Sequence, residues 1–256
     1  QQGIEKLVAD ASGPTNTIVS PDKEVAIVSI PLPGNGTDAT SEAALTTLRE
    51  STIPHTIGAI QGVEANVTGM TAGSKDFNDR MNSRLPFVFA FVLGLAFLLL
   101  LVTFRSIVIP LKAIVLNLLS VGASYGVMTW IFQDGHFEGL LNFQSVGGIT
   151  SWLPLFMFVI LFGLSMDYHV FILSRVKEAV DRGMETEDAV AHSIKATAAT
   201  VTSAAVVMVA VFAIFATLSF IDFKQMGVGL AVAILIDATL VRAVLLPATM
   251  KLLGKW

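Results

Sequence analysis

The chain has 256 residues, of which 54% are hydrophobic and only 14% charged; its mean hydropathy is +0.72 and its formal net charge −4. That balance excludes an ordinary soluble domain, where about a quarter of residues are charged, and the acidic sign argues against nucleic acid as a partner. Cysteine is absent, which removes a disulfide framework, a thiolate zinc site and a thiol nucleophile.

Charge is concentrated at one end. Residues 1–84 hold ten acids and six bases, so the first 85 residues read as a separate, mildly acidic unit. The chain opens at Gln1 with no signal-peptide pattern, and it reads as a piece of a longer protein. Residues 1–10 read as the end of a helix. Thr17–Ser20 and Val25–Ile30 read as strands around a Ser20-Pro21-Asp22-Lys23 turn. Asp38 or Thr40 is placed to cap a helix over Ser41–Thr52, with Ala44, Leu45 and Leu48 on one face. Val63, Ala65 and Val67 alternate as a third strand over Val63–Thr68, and Thr71–Leu85 reads as a helix leading into the membrane. The order β-β-α-β-α makes this unit a small α/β subdomain.

Residues 86–256 read as a membrane all-α helical bundle. Five apolar stretches follow one another, at about 86–104, 113–132, 152–173, 196–221 and 226–246. Each is near the roughly 20 residues that cross a bilayer. Lys and Arg set the orientation. Arg105 and Lys112 follow the first span; Arg175, Lys177, Arg182 and Lys195 lie between the third and fourth; Lys251 and Lys255 close the chain. The loop 133–151 has no Lys or Arg, and the loop between spans four and five has only Lys224. The basic loops and the C-terminus are therefore expected to be cytoplasmic, with residues 1–85 extracytoplasmic. Glu185–Ser193 reads as a short surface helix, with Glu187 and Asp188 at its positive end.

Within the third span one acid stands out. No charged residue occurs from Gly139 to Met166, and Asp167 interrupts that run. From Asp167 to Arg175 is a rise of about 12 Å along a helix, so the acid lies well inside the hydrocarbon. A carboxylate there is costly, and it must face a partner, a cavity or water; it is functional by default. The bland reading, an acid held neutral by burial, is close to the same mechanism, because burial makes protonation switchable.

The run Gly163-Leu164-Ser165-Met166-Asp167-Tyr168-His169-Val170-Phe171-Ile172-Leu173-Ser174-Arg175 resembles the signature of the MMPL family (mycobacterial membrane protein large), a branch of the RND superfamily of proton-driven exporters. In that family an intramembrane Asp-Tyr pair is implicated in a proton relay, which the resemblance assigns to Asp167 and Tyr168. The usual family residue after Asp-Tyr is Glu; here it is His169. The segment 69–77 resembles the family's approach to the membrane, residues 1–85 part of an RND porter domain, and Pro247–Trp256 the end of the second half. The resemblance thus implies the C-terminal portion of a transporter whose other half is a further partner, alongside the lipid bilayer and a lipid or other hydrophobic substrate.

Other residues weigh in with simpler readings beside them. Tyr168 is rotated about 100° from Asp167 and either donates to a carboxylate across the bundle or packs as an aromatic. Gly163 lies on the face of Asp167, where a missing side chain admits a helix or water. His169 is a residue type that titrates near neutral pH, but toward the cytoplasmic end it reads more simply as a polar cap or water-facing residue, with no second His close enough to suggest a metal. Asp237 and Arg242 form a second charged site, in an arrangement that family members share. Five residues apart, they fall about 140° from each other on an α-helix. Asp237 is expected to turn toward the bundle, to the relay or its water, and Arg242 to pair with another helix or snorkel; both are counted with Asp167 and Tyr168 as relay residues. Thr197, Thr200 and Ser203 on span four, and Asn117, Ser120 and Ser124 on span two, are hydroxyl and amide groups for a water wire or, more simply, for helix packing. The Phe residues at 87, 89, 91, 97 and 104 are lipid-facing or packing bulk.

No Ser-His-Asp order and no phosphate-cradling glycine loop stands out; Gly147-Gly148 carries no Walker lysine. No enzyme activity, cofactor or metal is expected. The favoured reading is a proton-motive-force-driven exporter of lipids or other hydrophobic molecules. The alternatives are a non-transporting, sterol-sensing-like scaffold with the same helical plan, which tolerates loss of Asp167, and a fragment inactive by itself.

Overall fold

The structure, a computed structural model, describes residues 15–145 and 147–253. The helix expected over residues 1–10 lies outside the described residues, as do the last three of the chain. The chain divides into two compact units, Gln1–Arg84 and Leu85–Trp256.

In the first unit β1 (Asn16–Val19) pairs antiparallel with β2 (Ala26–Ser29), Asn16 opposite Ser29 and Val19 opposite Ala26. Among the described residues the sheet has these two strands alone. The strand expected over Val63–Thr68 is irregular instead. Its alternation is real, since Ala65 and Val67 are half-buried between exposed neighbours, but no ladder forms. The Val67 carbonyl accepts from Arg49 Nη2 at 3.3 Å. Alternation reports half-burial, and only a neighbouring strand turns half-burial into sheet.

Helix α1 (Ala39–Thr47) starts at Asp38, whose carboxylate accepts from Ser41 N at 2.9 Å; Asp38, not Thr40, is the cap. Hydrogen bonds from the Ser41 side chain and backbone hold the Asp38 carboxyl below the usual carboxylate range. Gly34 makes room for this cap, with φ +96° and the space beside it filled by the Asp38 carboxylate. The last turn of the expected helix, Leu48–Thr52, is wound as π-helix ahead of Pro54, which cannot donate to the carbonyl four residues back. Arg49 in that turn grips Asp76 with two bonds of 2.5 and 2.8 Å.

Among the described residues five helices are long and apolar enough to cross a membrane: Met70–Phe104, Val108–Gln133, Leu153–Asp181, Thr186–Phe215 and Ile221–Lys251. In the first, α2 (Met70–Phe104), the approach helix and the first span run as one, with Pro86 inside. α3 (Val108–Met128) continues through a π-turn to Gln133, and α4 is Leu153–Asp181. α5 (Thr186–Phe215) absorbs the surface helix expected at 185–193. No turn residue separates the two, so the amphipathic start simply winds on into the apolar run. α6 (Ile221–Ile236) continues as a π-helix, Asp237–Leu245, and then α7 (Leu246–Leu253). Lys224, read as a loop residue, is in the first turn of α6. It is 4% exposed and donates to the Leu141 carbonyl.

α6 is the hub of the bundle and packs on α3, α4 and α5. Leu153, Met157, Phe158, Phe162 and Leu230 fill the core around it. α2 joins through Ala96, Leu100 and Phe104, with Phe89 against Phe158, while Phe87 and Phe91 face outward. Small residues allow the close approach of helices. A Cβ on Gly227 would stand 2.6 Å from both Phe212 O of α5 and the N of Ala216, the residue that caps its C-terminal end. Gly227→Ala is therefore expected to lose about 1–3 kcal/mol of stability, seen as a lower melting temperature in detergent. An unchanged melting temperature would contradict this packing.

Candidate functional site

The burial pattern of α4 decides which way its polar residues point. Leu161, Phe162, Ser165, His169, Ile172, Leu173 and Val176 form the buried stripe. Gly163, Asp167 and Ser174 lie on the opposite, exposed face. Asp167 thus points away from the five-helix bundle, and among the described residues it has no ion-pair partner. Gly163 shares that face, with open space where a side chain would begin.

The second charged site is inside. The segment Asp237–Leu245 is a π-helix, whose i→i+5 bonding stacks residues five apart. Asp237 and Arg242 therefore share a face, and Arg242 Nη2 donates to Asp237 Oδ2, with both side chains 6% exposed. The expectation that they diverge, and that Arg242 pairs elsewhere or snorkels, is corrected by this local winding. Asp237 does turn into the bundle as expected. Its Oδ1 accepts from Ser165 Oγ of α4 at 2.9 Å.

Tyr168 holds the pair from the side, its ring under the Arg242 guanidinium at 4.3 Å to the centroid. A cation over an aromatic face is attracted to the ring quadrupole. The Tyr168 hydroxyl lies 3.8 Å from Met208 Sδ rather than on a carboxylate. His169, expected to face water, is 1% exposed. Its Nδ1 is 3.0 Å from the Ser165 carbonyl and 3.5 Å from Ser165 Oγ, and its Nε2 has no partner in the protein. A cavity of about 10 Å3 adjoins Asp237, Arg242, Ser165, Tyr168, Asn117 and Ser120, close to the smallest space that holds one water.

The hydroxyl rows are spent on backbone. Ser120 and Ser124 donate to the Ala233 and Gly229 carbonyls of α6, and Asn117 Nδ2 to Phe162 O of α4. On α5, Thr197 bonds to its own helix at Ser193 O and Ser203 to Thr200 O. Thr200 and Ser203 are exposed and do not line the cavity beside Asp237. Among the described residues no group of three His, Cys, Asp or Glu is placed to hold a metal.

Ser165 was not singled out from the sequence, although it lies one turn before His169 on the same face. The two carboxylates now differ in kind. Asp237 is neutralised by Arg242, whereas Asp167 has no ion-pair partner among the described residues and needs a proton, water or an outside partner to remain in a bilayer.

A family model described as "MMPL family" matches residues 4–256. The chain is 40% identical over 93% of its length to the mycolic acid-containing lipids exporter MmpL11 of Mycolicibacterium smegmatis, covering 25% of that protein. To a Mycobacterium tuberculosis protein named heme uptake protein MmpL11 it is 40% identical over 92% of its length, covering 24% of that relative. To the trehalose monomycolate exporter MmpL3 of M. tuberculosis it is 36% identical over 86%, covering 22%. The chain spans about a quarter of the length of the curated relatives it matches.

Proposed function

The chain belongs to the MMPL family, and we propose on that ground that it is the C-terminal portion of a proton-motive-force-driven exporter of lipids or other hydrophobic molecules. The observation that carries the reading is the outward-facing Asp167 in the middle of α4, in a bundle whose other intramembrane acid is held inside as the Asp237–Arg242 pair. An acid facing hydrocarbon is stable when protonated or matched. Its charge therefore controls what α4 packs against, namely the corresponding span of the transporter's other half. Taking up a proton changes that packing, and the change passes to the porter-like subdomain of residues 1–85 outside the membrane. Asp167, Tyr168, Asp237 and Arg242 form the relay, with Tyr168 and Asp237 tied together through Arg242. The lipid substrate class follows the exporters among the relatives.

In cells making the full-length protein, long-chain lipid recovered from the outer leaflet is expected to fall severalfold when a protonophore is added and ATP is held constant. Export that continues unchanged would reject proton coupling. Orientation has its own test. Single cysteines at Gly34 and Gly139 are expected to react with a membrane-impermeant maleimide in intact cells, and one at Gly183 only after lysis. The reverse pattern would invert the topology.

A further inference from the structure

A cavity of about 600 Å3 lies at the basic end of the spans, where the ends of α2 and α4 meet the starts of α3 and α5. Its floor is apolar. Phe104, Leu173 and Val176 are buried there, and Ile109 and Met250 pack against Phe104 and Leu173. Val180 and Met184 stand at the rim, 38% and 37% exposed. From Leu173 to Val180 is a rise of about 10 Å along α4, so the cavity runs from the apolar stretch of the third span to its polar end. Two cations line it, Arg105 and Lys177, against one acid, Glu185. Arg105 closes α2 in the left-handed conformation, with φ +50° and its N–H on the Leu101 carbonyl at 2.8 Å. Its side chain is exposed and has no ion-pair partner among the described residues. Lys177 donates to the Thr103 carbonyl at 3.1 Å, which leaves two of its three N–H groups unspent. Its neighbour Glu178 is taken up by Arg175 and Arg182.

We propose that this cavity binds one anionic phospholipid from the leaflet at the basic ends of the spans, its phosphate on Arg105 and Lys177 and one acyl chain along Phe104, Leu173 and Val180. Charge complementarity and depth both point to that occupant. A basic pocket between spans attracts anionic headgroups, more strongly with each Lys or Arg at the surface. A chain laid over the floor removes the exposed apolar rim from water. A zwitterionic headgroup brings an ammonium that has only Glu185 to meet, so it gains less. Because Lys177 is bonded to the last turn of α2, the bound lipid ties the end of α2 to α4. The site lies apart from the Asp237–Arg242 pair and does not depend on proton coupling.

The test uses the full-length protein in detergent, incubated with dioleoyl phosphatidylglycerol or dioleoyl phosphatidylcholine and read by native mass spectrometry. Phosphatidylglycerol is expected to be retained about tenfold or more over phosphatidylcholine. Arg105→Gln combined with Lys177→Gln keeps a side-chain N–H for the Thr103 carbonyl but removes both charges, and is expected to lose that preference. Lys195→Gln removes a cation outside the cavity and is expected to keep it. Val180→Trp fills the path of the chain from an exposed position, with both cations in place, and is expected to lower retention of phosphatidylglycerol about fivefold or more. Equal retention of the two lipids by the wild type, an unchanged preference in the double variant, or unchanged retention in Val180→Trp would overturn the proposal. So would displacement by soluble glycerol 3-phosphate, which makes the ligand a free phosphate ester. Retention of no lipid at all would overturn it too, as the result expected if the rest of the transporter fills the cavity.

Discussion

Asp237→Ala is expected to cost the folded protein about 3–5 kcal/mol, because it leaves the Arg242 guanidinium buried without its counter-ion. Arg242 is 6% exposed, held by Asp237 and the Tyr168 ring, so no solvent takes over the lost contact. The consequence is severalfold less inserted protein and a melting temperature in detergent lower by several degrees. Arg242→Lys keeps the charge but loses the planar group that lies over Tyr168, so it too is expected to destabilise, by less. Removing both partners separates stability from mechanism. Asp237→Ala combined with Arg242→Met is expected to restore much of the melting temperature, since an apolar pair replaces a buried ion pair at little cost, yet to leave export absent. A stable double variant that exports at the wild-type rate would make the pair a packing device. A single Asp237→Ala protein as stable as wild type would contradict the buried pair itself.

The parts legible in the sequence are those set by long apolar runs. Five spans stand out because about 20 uncharged residues in a row have few other uses, and Asp167 stands out for the same reason. Residues that depend on local winding were not legible. A helical wheel at 100° per residue separates Asp237 from Arg242; the π-helix over 237–245 brings them together. Nothing in the segment Asp237-Ala-Thr-Leu-Val-Arg-Ala-Val-Leu245 marks such a turn, since neither proline nor glycine occurs in it. Lys224 and His169 were assigned to water by residue type, and both are buried against backbone carbonyls. The burial of His169 was within reach, because it falls four residues after Ser165 and seven after Phe162, on the stripe that faces the core. In the first unit the strand pattern at Val63–Thr68 was read correctly as alternation and wrongly as sheet, since pairing is a property of two segments.

The most direct test of the proton-coupled account is Asp167→Asn in the full-length protein. The amide keeps the size and much of the hydrogen bonding of a neutral carboxyl but does not titrate in this range. Asp167 lies on the exposed face of α4 and makes no ion pair among the described residues, so insertion, abundance and melting temperature are expected to match the wild type. Lipid export and proton entry, measured in the same vesicles under an imposed pH gradient, are expected to fall at least a hundredfold together. Export by Asp167→Asn at the wild-type rate, with the gradient still required, would contradict the account and move the proton to another acid.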